Sequence, residues 1–249
     1  MAYYSILPVK WDDDNNINSV HSYPGEELSF LVRNTSGTAG SRSIIEVEAT
    51  PTGFEWAGFR ATSTGATSFT WGIDVLNNYW VLSTGTSLIF NRNILCSSSG
   101  EISFPQQPAF LATRTVTQSN VTGNNTIAQV NYQTEIFDIG SNFSTNVFTA
   151  PVAGIYSFIG ATPIGNLSSL ATVGDIRIET SNRTFVTYGQ NIGAARNPGN
   201  YSDLIITAIT NMDSGDTAII QARVNGLGAD TASFPSSGTE GYFSGVLLS

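Results

Sequence analysis

An all-β fold is predicted by three features of the 249-residue chain. Short β-branched or aromatic runs recur along its length, punctuated by Gly, Asn and Pro. No apolar pattern of helical period persists for three turns. Asp, Glu, Lys and Arg supply only 12% of residues, where about a quarter is usual in globular chains. Gly, Ser, Thr and Asn take that room, and they serve turns and strands better than long helices.

In chain order, residues 28–32, 43–49, 79–82, 155–159, 204–209, 218–224 and 242–248 read as strands. Turn signals separate them at 34–40, 63–65, 123–125, 197–200 and 225–228, each rich in Asn, Ser or Gly. The run Leu204-Ile205-Ile206-Thr207-Ala208-Ile209 is apolar at both phases of a two-residue period. An antiparallel sandwich keeps one face of each sheet wet, so such a strand predicts a second covered face, that of an oligomer.

The chain divides into a β-rich N-terminal attachment region and a head. Residues 1–35 form an arm with an aromatic opening and an acidic tract, and residues 36–105 a small β domain. Residues 106–249 form the longest uniform β stretch, after a hinge at Pro105-Gln106-Gln107-Pro108. Prolines there remove ladder donors and hold the backbone extended.

The head resembles the complement globular-head family, the trimeric jelly roll shared with tumour necrosis factor. Ala109-Phe110-Leu111-Ala112 matches its opening strand, and Gly140-Ser141-Asn142-Phe143 begins its strongest segment. That segment continues with Phe148-Thr149-Ala150-Pro151-Val152-Ala153-Gly154-Ile155-Tyr156-Ser157-Phe158. Met212-Asp213-Ser214-Gly215-Asp216-Thr217-Ala218 and the closing Phe243-Ser244-Gly245-Val246-Leu247-Leu248 follow in the family's order. Phe143 departs from the usual tyrosine, and residues 160–203 match poorly. The resemblance implies a homotrimeric jelly-roll β-sandwich with Phe110, Phe148, Tyr156, Phe158, Phe243 and Leu247 in its core or trimer contacts.

A looser resemblance covers Phe69-Thr70-Trp71-Gly72-Ile73-Asp74 and the residues that follow to Pro105. It is to the short β modules that precede head domains in bacteriophage fibres and head-surface proteins. It implies a virion exterior.

Charge excludes other roles. The net charge of −9 is even: ten acidic and five basic residues before 106 give −5, nine and five after it give −4. Lys10 is the one lysine. No basic footprint exists for nucleic acid or an anionic membrane. Met1-Ala2-Tyr3-Tyr4-Ser5 does not open a signal peptide, so cytosolic synthesis without secretion is expected. Cys96 is the sole cysteine and His21 the sole histidine. They are short of a nucleophilic dyad with an orienting group, and of a zinc ligand set. Asp12-Asp13-Asp14-Asn15-Asn16 resembles the start of a calcium loop, yet Tyr23 stands at the twelfth position, where a glutamate is needed. No enzyme activity, cofactor or metal is expected.

The expected partners are therefore the chain itself and a major capsid or other virion protein. Tyr3, Tyr4, Ile6, Leu7 and Trp11 form an apolar anchor for that docking. A capsid decoration (cement) protein is the first reading. A receptor-binding fibre or spike tip, recognising host glycans, is the second.

Overall fold

Strand alternation, rather than helical period, governs the described residues. The structure, a computed structural model, describes residues 56–62, 67–236 and 238–249. The predicted arm, its anchor residues, and the strands at 28–32 and 43–49 lie outside them. One helix, α1 (Ile192–Ala195), occurs among the described residues. None is long and apolar enough to cross a membrane.

A first, five-stranded antiparallel meander comprises β1 (Trp56–Ala61), β2 (Phe69–Asp74), β3 (Tyr79–Thr84), β4 (Arg92–Cys96) and β5 (Ile102–Ser103). Its turns use residues that tolerate a left-handed backbone: Asn78 at φ 55° before β3 and Asn91 at φ 49° before β4.

The head contributes β6 (Ala109–Arg114), β7 (Gln118–Thr122), β8 (Ile127–Gln129), β9 (Thr134–Ile139), β10 (Phe143–Ser144) and β11 (Val147–Thr149). The long strands follow: β12 (Gly154–Ile164), β13 (Val173–Thr180), β14 (Thr184–Gln190), β15 (Ser202–Met212) and β16 (Thr217–Asn225). β17 (Ala232–Phe234) and β18 (Gly238–Leu247) complete it. One sheet has the order β15-β12-β18-β6-β9; the other has β10-β11-β16-β13-β14, with β8 added beside β16. The two sheets face each other as a jelly-roll sandwich, so the fold is all-β.

Strand β18 sits between β12 and β6, which places the last strand inside a sheet. The chain end is tied to the same place, since Ile155 N–H donates to the Ser249 carbonyl at 2.7 Å. Between the sheets, inward positions of β6, β10, β11, β12 and β18 stack aromatic rings. Phe110 lies 4.8 Å from Phe143, 5.0 Å from Phe148 and 4.9 Å from Phe243, centroid to centroid. Aliphatic residues of the facing sheet, Ile176, Ile178, Ile220 and Val224, complete this core. Burying each large apolar side chain stabilises the fold by about 1.5–3 kcal/mol.

Candidate functional site

The predicted core and contact residues lie inside the sandwich. Phe110, Phe148, Tyr156, Phe158 and Phe243 are all buried, and Leu247 is partly buried against the same cluster. Tyr156 also spends its hydroxyl internally, donating to the Val152 carbonyl at 2.8 Å. The five rings are core and leave no surface for a partner; large aromatics fill the space between two sheets better than any other side chain. The sheet surface comes from the residues between them in sequence.

Those residues form the outward face of the sheet β15-β12-β18-β6-β9. The register aligns Ile205 with Ala161, Thr207 with Ile159, and Ile209 with Ser157. It continues with Ile159 beside Ser244 and Ser157 beside Val246. Leu111 pairs with Ser244 and Ala109 with Val246, then with Phe137 and Ile139. None of these positions is charged. Ile205 is 56% and Ile209 64% exposed, with Ile155, Ile159, Phe137 and Val246 also open. The outward face of the other sheet has the opposite character. Asp175, fully buried beneath its neighbours, accepts from Arg177 Nε at 2.8 Å and Arg223 Nε at 2.6 Å. Gln221 and Glu179 flank that group across β16 and β13. One face is built for water and the other is not.

The head also buries a cation that sequence reasoning did not anticipate. Arg114, on β6, is fully buried. Its Nε donates to the Pro235 carbonyl at 2.7 Å and a terminal nitrogen to Thr162 Oγ1 at 2.8 Å. The guanidinium also lies over the Phe234 ring at 5.8 Å. Burial lowers its proton affinity. Nearby Tyr132 donates to the Ala161 carbonyl at 3.1 Å, and burial pushes its phenol well above the usual range.

No group of three or more His, Cys, Asp or Glu side chains is placed to hold a metal ion among the described residues. Cys96 is half-buried on β4, while His21 and Asp12 to Asp14 lie outside the described residues. A cleft of about 320 Å³ opens at the end of the head where β12 finishes and β15 begins. Tyr201, Asp203, Asn197, Ser236 and Glu240 line it. Its loop is fixed locally: Tyr201 N–H donates to Asn197 Oδ1 at 2.9 Å, and Arg196 Nε to Asn200 Oδ1 at 3.0 Å. The cleft has carboxylates and hydrogen-bonding groups but no nucleophile–base pair.

No family model matches the chain, and no curated protein matches it. Among solved structures it is similar to the globular domain of the zebrafish complement 1qA protein, at 17% identity and a TM-score of 0.40. That match covers 57% of this chain and 98% of the other. It is also similar to murine APRIL, at 12% identity and a TM-score of 0.40, over 57% of this chain and 99% of that one.

Proposed function

We propose that the chain is a non-enzymatic structural protein of a bacteriophage exterior, a homotrimer that works as a capsid decoration protein. The observation that carries self-assembly is the contrast between the head's two outer faces. One holds the Asp175, Arg177 and Arg223 network; the other holds Ile155, Ile159, Ile205, Ile209 and Val246 with no charge between them. An apolar face this broad is costly to leave in water and marks an interaction surface. A neutral face also suits contact between identical copies, since like charges are not opposed around a symmetry axis.

The number three comes from the sequence motifs that resemble the complement globular-head family. Attachment is assigned to the N-terminal region, through Tyr3, Tyr4, Ile6, Leu7 and Trp11, to a major capsid or other virion protein. Three weak anchors acting together hold far more firmly than one, and a trimer matches local three-fold positions on a shell. The virion setting is supported by the module-like segment from Phe69 to Pro105.

A receptor-binding fibre or spike tip is the second reading. The cleft favours it, because Tyr201 beside Asp203 and Glu240 offers an aromatic surface and hydroxyl-binding carboxylates for a host glycan. Copy number on purified virions, by quantitative mass spectrometry, separates the two. Hundreds of copies support decoration, and a handful support the tip. Absence from particles contradicts both.

A further inference from the structure

The small sheet β1–β5 has its own unbalanced faces. In β2, Thr70 and Asp74 are buried while Phe69, Trp71 and Ile73 are exposed. Register carries both faces across the sheet. Phe59 opposes Trp71, Trp71 opposes Leu82, Ile73 opposes Trp80, and Trp80 opposes Cys96. Directly paired residues share a face, so Phe59, Phe69, Trp71, Ile73, Trp80, Leu82 and Cys96 form one continuous apolar surface. None of them is charged. Phe59 and Trp71 stack at 6.1 Å between centroids.

The opposite face carries the polar groups and is closed in part by the chain's own loop. Arg92 pairs with buried Asp74 and donates from Nε to the Leu88 carbonyl at 3.0 Å. Thr70 donates to the Gly85 carbonyl at 2.8 Å, and Leu88 is fully buried. Among the described residues, the charged face is covered and the aromatic one is open.

We infer that this aromatic face is a second self-association surface, closing on the same face of the other copies about the axis of the head. The inference rests on the trimeric reading above. Size and charge choose this occupant. An aromatic side chain offers about 150–250 Å², and Phe59, Phe69, Trp71 and Trp80 are 36–49% exposed. Together they leave roughly 300–400 Å² open in each copy, about half of the ~800 Å² per partner in a stable interface. The sheet is therefore too small to hold copies together alone. It is large enough to close once the head has gathered them. Only residues 104–108 separate β5 from β6, a reach of at most about 18 Å. Three associated heads then hold their sheets at millimolar effective concentration, on the order set by short linkers. Absence of charge removes the repulsion that three identical faces would otherwise meet. A basic ligand surface or a nucleic acid has nothing to pair with here.

Cys96, the one cysteine, lies on this face beside Trp80 and reports on it. The test measures the rate at which dithionitrobenzoate modifies Cys96 in the full chain and in full-chain Ile209→Glu, which breaks the head contact. The inference expects the rate in the wild-type trimer to be at least tenfold below that in the monomeric variant. It further expects full-chain Trp71→Glu to stay trimeric while its Cys96 reacts at the monomer's rate. A wild-type trimer whose Cys96 reacts as fast as the monomer's overturns this inference and leaves the head interface standing. Protection that persists in the Ile209→Glu monomer overturns it too, because the cover then belongs to the same chain. A wild-type monomer defeats both this inference and the reading it rests on.

Discussion

Ile205 and Ile206 are adjacent in β15, yet Ile206 is 4% exposed and Ile205 is 56% exposed. Successive side chains of a strand point to opposite faces, so these two isoleucines sample the two environments of one sheet. Ile206 faces the core cluster, and Ile205 faces outward. Ile206→Ala should lower stability by about 2–5 kcal/mol, as deletion of a buried aliphatic group does. Ile205→Glu should change the stability of the isolated subunit by no more than about 0.5 kcal/mol, while lowering the apparent association constant. Denaturant unfolding combined with sedimentation checks both halves. Equal destabilisation by the two would show that their phase on the strand is misassigned.

This pair also marks what the sequence could say. Apolar residues at both phases of 204–209 predict two covered faces, and the structure shows one covered and one open. The aromatic residues that the family motifs single out, Tyr156, Phe158 and Phe243, occupy the inner phase because only the inter-sheet space accommodates them. The outward residues are smaller aliphatics: Ile155 and Val246 fall inside the motifs, while Ile205 and Ile209 lie in a stretch between motifs that none of them marks. The hairpin β13–β14 escaped the sequence reading for a different reason. Its charged Asp175 is neutralised by Arg177, two residues away, and by Arg223, 48 residues away on β16. Nothing local announces the second partner. Arg114 is similar: its acceptors Thr162 and Pro235 come from distant strands and loops.

Gly245, in the middle of β18, has no room for a methyl group. A Cβ there would lie 2.6 Å from ring carbons of both Phe110 and Phe158. Those rings are buried among other aromatics and have little freedom to retreat. Gly245→Ala should therefore cost about 1–3 kcal/mol through overpacking. Denaturant midpoints for the single substitution check this, and an unchanged midpoint would contradict the described packing.

The hairpin β10–β11 turns through Thr145 at φ 52° and Asn146 at φ 67°. Two consecutive positive φ values define the tight turn that matches strand twist. Asparagine accepts that backbone, but a β-branched threonine is strained there. Asn146 is also anchored, with Oδ1 accepting from Tyr132 N–H at 2.6 Å. Thr145→Gly should relieve about 1–2 kcal/mol of left-handed strain, offset in part by the roughly 0.5–1 kcal/mol of extra unfolded-chain freedom that glycine brings. The net gain is read as a slightly higher melting temperature. A lower one would contradict the assigned turn.

Tyr132 provides the pH dependence. Burial pushes its phenol up, so the folded state keeps it neutral where the unfolded chain begins to ionise, near pH 10. The sign follows: stability is unaffected by this group at neutral pH and falls as pH rises above about 10, by up to ~1.4 kcal/mol per unit. Tyr132→Phe should lose about 0.5–1.5 kcal/mol at pH 7, the worth of its hydrogen bond to Ala161, and should unfold less steeply above pH 10. Parallel pH curves for both proteins would contradict this account.

Mass in solution tests the central claim most directly. Sedimentation equilibrium of the full chain at micromolar concentration should give three times the 26.5 kDa chain mass, about 80 kDa. Ile209→Glu, which places a carboxylate among the uncharged outward residues Ile205, Thr207, Ile159 and Ser157, should shift that value towards 26.5 kDa without loss of β-sheet signal. A wild-type chain that sediments as a 26.5 kDa monomer would contradict the account.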